Sequence, residues 1–89
     1  MMYLLFIVYE GVINMLDLYV SQYCPYCKKV MKYLDENNIE YKMLDVGEAE
    51  NFNKLVKLGG KDQVPFLNDT DNDVLMYESS DIIKYISKL

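Results

Sequence analysis

Cys24-Pro25-Tyr26-Cys27 sets two thiols three positions apart. An apolar run, Leu16-Asp17-Leu18-Tyr19-Val20, precedes them, and a helical pattern, Lys28-Lys29-Val30-Met31-Lys32-Tyr33-Leu34, follows. A C-x-x-C pair between a strand and a helix reads as a thiol–disulfide redox site. Cys24 falls at the helix N-cap, with Pro25 at the first helical position, where its missing N–H is no loss. Unpaired N–H groups and the positive end of the helix dipole then face the Cys24 sulfur and favour the thiolate, the form that attacks disulfides. Cys24 is the expected nucleophile. Cys27, one turn further in, is the expected resolving thiol. Two other readings stay open. A zinc site usually takes four Cys or His ligands; two cysteines and no histidine would need carboxylates to complete the set, and no metal is expected. Alternatively the thiols are inert and Cys27 is a small buried hydrophobe.

The charge balance narrows the partners. At −5 net charge the chain is a poor nonspecific nucleic-acid binder. Its nine basic residues are all Lys, so no guanidinium fork is available for an anionic substrate. Lys28, Lys29 and Lys32 cluster beside the cysteines. They read as a solvated helix face and, compatibly, as a local positive potential that supports the Cys24 thiolate. Two cysteines in one tight motif cannot staple a fold, and they fit a reducing, cytoplasmic compartment better than a secreted scaffold. No stretch is long enough to span a bilayer, so no membrane partner is expected.

The 89 residues make one small domain, preceded by an extension. In residues 1–14, Tyr3 to Tyr9 is an unbroken apolar run without a basic flank. It reads as a buried strand, an added helix, or a translated leader, since Glu10-Gly11-Val12 can be encoded by a purine-rich stretch of ribosome-binding type ahead of the Met15 codon. Residues 15–89 are the expected domain.

From Met15 the pattern is regular. Leu16 to Val20 is a strand, and Tyr26 to about Asn37 a helix stopped by Asn37-Asn38. Glu40 to Val46 is a second strand. Glu48 to Leu58 is a second helix, with Phe52, Leu55, Val56 and Leu58 inward and Gly59 as its C-cap. Val64 to Leu67 and Val74 to Tyr77 are strands joined by an acidic turn over Asn68 to Asp73. Ser79 to Lys88 is a last helix with Ile82, Ile83 and Ile86 inward. Asp69-Thr70-Asp71-Asn72-Asp73 superficially resembles a calcium loop, but Val74 stands where that motif wants Gly and Ser80 where it wants Glu, so an acidic hairpin turn is the better reading. The order β-α-β-α-β-β-α implies an α/β fold. Its four-stranded mixed sheet (βαβ then ββα) has the first two strands parallel, the last two antiparallel and helices on both faces.

On these residues the chain resembles a glutaredoxin over Met15 to Leu89, which implies a thioredoxin-like fold. Cys24-Pro25-Tyr26-Cys27 is the dithiol glutaredoxin active site. Gln63-Val64-Pro65 stands at the place of the family's Thr-Val-Pro, and the resemblance implies that Pro65 is cis. Tyr77-Glu78-Ser79-Ser80-Asp81 is similar to the Glu-Ser element of glutathione transferase N-terminal domains, where typical glutaredoxins carry a Gly-Gly-x-x-Asp pattern. Ser21 also departs from the family, many members of which carry Lys there.

The resemblance implies a glutathione site. Tyr26 would shape the wall of the thiol groove, or simply pack as an aromatic. Val64, before Pro65, would pair through its backbone with the extended tripeptide. Ser79 and the helix N-terminus behind it would take the γ-glutamyl carboxylate, and Glu78 the α-ammonium; a plain Ser cap is the alternative. Lys61 and Gln63 are candidates for the glycyl carboxylate. The function implied is a glutathione-dependent thiol–disulfide oxidoreductase acting on protein disulfides or protein–glutathione mixed disulfides, with glutathione as co-substrate. Two alternatives accompany it. One is an electron donor to ribonucleotide reductase that draws on thioredoxin reductase. The other is a carrier of a glutathione-ligated [2Fe–2S] cluster.

Overall fold

The computed structural model describes Leu16–Leu89; the expectations for residues 1–14 lie outside the described residues. Its elements are β1 (Leu16–Val20), α1 (Pro25–Glu36), β2 (Lys42–Asp45), α2 (Ala49–Gly59), β3 (Phe66–Asp69), β4 (Val74–Tyr77) and α3 (Ser79–Ile86). The sheet order is β2-β1-β3-β4. β1 pairs parallel with β2 and antiparallel with β3, and β3 pairs antiparallel with β4. This is the mixed α/β sheet expected from the sequence.

Both faces are covered, unequally. Leu16, Leu18 and Val20 of β1 and Leu67 of β3 pack against Cys27, Val30 and Leu34 of α1 and Ile82 and Ile86 of α3. Period-two alternation sends Tyr19 and Phe66 to the other face, with Leu44, against Leu55 of α2. Ile83 packs at the margin of the first cluster.

Several boundaries differ from the sequence reading, each for a local reason. In α2 only Leu55 is buried; Phe52, Val56 and Leu58 remain 37–38% exposed. α1 and α3 share their face of the sheet and cover each other's flanks, whereas α2 lies alone on the opposite face. The C-cap of α2 is Gly60, not Gly59: Gly60 is left-handed at φ 84° and its N–H donates to the Val56 carbonyl at 2.8 Å. β3 begins at Phe66, because Pro65 has no N–H for the ladder. It runs on through Asn68 and Asp69, which pair with Asp17 and Leu16. β2 is likewise shorter than Glu40 to Val46, and α3 ends at Ile86 with Ser87 as its cap.

The stop after α1 is as read. Asn38 is left-handed at φ 54°, and the Ile39 N–H returns to the Leu34 carbonyl at 2.9 Å. At the hairpin, the buried Asp69 carboxylate accepts from the Tyr85 hydroxyl, the Asn72 amide and the N–H groups of Asp71 and Asn72. The acidic stretch is therefore a turn organised around one carboxylate. Among the described residues no cluster of His, Cys, Asp or Glu is arranged to hold a metal ion, and no helix is long and apolar enough to cross a membrane.

Candidate functional site

β1 and β4 run in the same direction, and β3 runs against them. The C-terminal ends of β1 and β4 and the N-terminal end of β3 therefore meet at one edge of the sheet. That edge delivers Cys24, Val64-Pro65 and Glu78-Ser79 to one place.

Ser21 sets the approach to the cysteines. Its carbonyl accepts the Cys24 N–H at 3.1 Å and its hydroxyl accepts the Tyr23 N–H at 3.3 Å. The tight turn leaves Cys24 extended (φ −103°, ψ 110°) as the N-cap of α1, with Pro25 at N1. The Cys27 N–H donates to Cys24 Sγ at 3.2 Å, the capping bond that Ser or Asp makes at other helix starts. The Cys24 sulfur thus receives a backbone N–H at the positive end of the α1 dipole. No acidic residue occupies the first turn of α1.

The two thiols are unequal. Cys24 is half-buried, less open than its position implies, while Cys27 is fully buried beneath it. Burial, reinforced by the hydrogen bond with Cys24, pushes the Cys27 thiol up to about 12. Cys27 is thus held protonated and out of reach of large reactants, and Cys24 faces outward. Tyr26, 63% exposed, lines the groove beside them.

Opposite Cys24 stands the cis Val64–Pro65 bond, as the resemblance implied, with the Val64 carbonyl 3.9 Å from Cys24 Sγ. A groove of about 460 Å³ runs from here, lined by Tyr26, Lys29, Gln63, Val64, Pro65, Glu78, Ser79 and Ser80. Its volume falls within the usual range of small-molecule sites, about 300–1,000 Å³. Glu78 is the N-cap of α3 in a left-handed conformation at φ 71°, and makes no capping bond through its side chain. Ser79 is the first helical residue rather than the cap, and is buried. The first N–H groups of α3 have no intrahelical partner and sit at the positive end of its dipole, an environment suited to a carboxylate. The Glu78 carboxylate accepts from the Gln63 side-chain amide at 3.2 Å.

The structure brings Cys24, Cys27, Tyr26, Gln63, Val64, Pro65, Glu78 and Ser79 together. Lys61 stands apart: its ammonium lies over the Tyr77 ring, 5.1 Å from the centroid, and it does not line the groove. The cation that does line it is Lys29. The basic cluster in the sequence had already marked Lys29, but its place on the groove side of α1 needed the helix phase. Ser80 was named only as part of the transferase-like element, and Ser21 only as a departure from the family; their places at the groove and in the turn needed the structure. The arrangement can attack a disulfide at Cys24, close an internal disulfide with Cys27, and hold an extended ligand that carries a carboxylate and a cation.

The sequence profile of the glutathione S-transferase N-terminal domain family matches residues 18–89. A glutaredoxin-like 8.6 kDa protein of a rubredoxin operon in Clostridium pasteurianum is 32% identical over 78 residues, 83% of this chain and 100% of that protein. Glutaredoxin 2 of Escherichia coli is 37% identical over 76 residues, 83% of this chain but 34% of the relative. Among solved structures, glutaredoxin 2 from Salmonella typhimurium in complex with glutathione superposes with a TM-score of 0.70 at 26% identity, over 82% of this chain and 33% of that one. An omega-class glutathione transferase from Trametes versicolor gives 0.72 at 25% identity, over 82% and 32%. The chain thus spans the whole of the clostridial protein and about a third of the longer relatives. Matched by the family profile over all but two of its described residues, and spanning the whole length of a glutaredoxin-like relative with 83% of its own, the chain belongs to the glutathione S-transferase N-terminal domain family and is a glutaredoxin-like member of it.

Proposed function

We propose that this chain is a dithiol oxidoreductase that uses glutathione to reduce mixed disulfides and protein disulfides. The observation that carries the reading is the position of Cys24. Its sulfur caps a helix, accepts a backbone N–H, and lies 3.9 Å from the carbonyl of Val64, which lines a groove together with Glu78 and the N-terminus of α3.

In the proposed cycle the Cys24 thiolate attacks the glutathione sulfur of a mixed disulfide. The substrate sulfur leaves as a thiolate and takes a proton from water, and Cys24 is left joined to glutathione. A second glutathione thiolate attacks the glutathione sulfur of that bond, giving oxidised glutathione and the Cys24 thiolate. A protein disulfide is attacked by Cys24 in the same way, one protein sulfur leaving as a thiolate that takes a proton from water and the other staying bonded to Cys24; Cys27 then loses its proton, attacks the Cys24 sulfur and expels the second protein sulfur as a thiolate. Two glutathiones then reduce the Cys24–Cys27 disulfide. Burial, then the hydrogen bond with Cys24, holds Cys27 protonated in the reduced protein, so Cys24 is the first of the two to attack.

In the groove, the γ-glutamyl carboxylate sits at Ser79 and the α3 N-terminus, and the α-ammonium meets Glu78. The backbone of the tripeptide pairs with Val64, and the glycyl carboxylate lies toward Lys29 and Gln63. A neighbour of the same fold, glutaredoxin 2, was solved with glutathione, which supports the ligand class. The test is reduction of a cysteine–glutathione mixed disulfide coupled to glutathione reductase, beside a parallel reaction coupled to thioredoxin reductase. Turnover with glutathione is expected. Turnover only with thioredoxin reductase would move the chain to the alternative donor role and overturn this reading.

A further inference from the structure

Beside Tyr26 and Lys29 of α1, two stretches line the groove from separate parts of the chain. One is Gln63-Val64-Pro65, at the end of the loop that begins at Gly60; the other is the β4–α3 junction at Glu78-Ser79. They are joined by Tyr77. Its hydroxyl donates to the Lys61 carbonyl at 3.1 Å and accepts the Lys61 N–H at 3.2 Å. The Lys61 ammonium lies over the same ring, 5.1 Å from its centroid, and the ring also packs on Phe66 with centroids 4.6 Å apart.

The fit extends to the end of α2. A Cβ built on Gly59 would lie 2.0 Å from the Tyr77 hydroxyl oxygen and 2.7 Å from Cζ. The hydroxyl therefore rests against bare backbone and nothing larger than glycine fits there. Tyr77 immediately precedes Glu78, and Lys61 stands two residues before Gln63, whose amide crosses to Glu78. Glu78 is in the left-handed region, which a residue with a Cβ holds only when its surroundings fix it.

We infer that Tyr77 is a positioning residue for the groove: its hydroxyl ties the Lys61 backbone to β4 and so sets the separation between Gln63-Val64 and Glu78-Ser79. This rests on the glutathione reading of the groove. Tyr77 touches neither reacting sulfur. Its effect belongs to binding and leaves the chemical step alone.

The test is Tyr77→Phe, which keeps the ring, its packing on Phe66 and its face toward the Lys61 ammonium, and deletes only the hydroxyl. The KM for a cysteine–glutathione mixed disulfide is expected to rise roughly fivefold, the scale of losing a modest hydrogen-bond contribution. Turnover at saturation and the rate of Cys24 alkylation by iodoacetamide should stay within about twofold. Amide hydrogen exchange at Lys61 to Val64 should accelerate, with the helix α1 amides unchanged. An unchanged KM in an active variant, or a fall in turnover with KM constant, overturns the inference. If the wild-type chain shows no turnover with glutathione, the functional reading fails instead. The tie is then judged by exchange alone, and equal rates at Lys61 to Val64 in both proteins overturn it.

Discussion

The side-chain amide of Gln63 reaches the carboxylate of Glu78 across the mouth of the groove, Nε2 to Oε2 3.2 Å. The contact leaves the second carboxylate oxygen available to a cation and holds the carboxylate in one orientation. Replacing Glu78 with Gln keeps the size and removes the charge. If Glu78 receives the ammonium of glutathione, the KM should rise about 10- to 100-fold, the range of one hydrogen bond to a charged group. Steady-state kinetics at several glutathione mixed-disulfide concentrations would measure it. A KM that stays put would place the ammonium elsewhere.

The two cysteines should separate by reaction. Cys24→Ser should abolish all exchange, because the attacking sulfur is gone. Cys27→Ser should keep the reduction of small glutathione mixed disulfides and lose the reduction of protein disulfides that require a second thiol. A dead Cys27→Ser with an active Cys24→Ser would reverse the assignment made from exposure and the raised pKa of Cys27.

Asp69 should give the fold a pH dependence of its own. Burial works to raise its pKa, but the bonds from Tyr85, Asn72 and Asp71 outweigh it and hold the carboxyl below its ordinary value. A depressed folded value means that the stabilisation is present above the unfolded pKa of about 4 and is lost as pH falls through the lower folded value. Tyr85 is the mirror case. Burial, then the Asp69 bond, pushes its hydroxyl up to about 12, so its contribution is present below the unfolded value of about 10 and is lost as pH rises toward 12. Denaturant unfolding should find Asp69→Asn less stable than wild type at pH 7 by about 1–3 kcal/mol, with the gap narrowing at pH 3. Tyr85→Phe should reduce the alkaline loss, leaving the shares of Tyr19, Tyr41 and Cys27, which burial also pushes up. A gap that does not change with pH would show that the carboxylate is not the stabilising species.

Gly59 and Gly60 are adjacent glycines required for different reasons. At Gly60 a side chain would meet open space but be strained at φ 84°, so Gly60→Ala should cost about 1–2 kcal/mol. At Gly59 the backbone is ordinary but the Cβ would strike Tyr77 and come within 3.0 Å of Phe66, so Gly59→Ala should cost about 1–3 kcal/mol and also disturb the groove. Melting curves and mixed-disulfide kinetics on the two variants separate them: both lose stability, and only Gly59→Ala should raise the KM.

A chain that begins at Met15 should fold and work. Four strands and three helices lie within Leu16–Leu89, and a relative of 8.6 kDa is matched from end to end. The expected result is a melting point within a few degrees of the full chain and unimpaired disulfide reduction. Failure to fold would give residues 1–14 a structural part.

Much of this was legible in the sequence because the signals were local. The Cys24 cap, the Pro25 start, the Asn37-Asn38 stop and the succession of elements along the chain follow from residue types and their spacing, whereas the pairing of β1 with β3 does not. What escaped depended on neighbours distant in sequence. The apolar spacing of Phe52, Val56 and Leu58 matches a buried face, but burial required a flanking helix that α2 lacks. Asn68 and Asp69 look like turn residues, yet pairing with β1 keeps them in the strand. Lys61 is as basic as Lys29, and only the position of Tyr77 takes it away from the groove. Tyr77 itself carried no chemical signal. Its partner is a backbone that sequence periodicity cannot place.

The strand directions that gather the site residues at one edge also leave the hairpin of residues 70–73 at the other. Four strand residues separate the two edges, about 13 Å of sheet. Among the described residues the molecule thus has a working end and, at the hairpin, an end remote from both sulfurs. A peptide tag, a fluorophore or a fused domain could enter beyond Asn72 without approaching either sulfur, provided that the Asp69 bonds to Asp71, Asn72 and Tyr85 are kept.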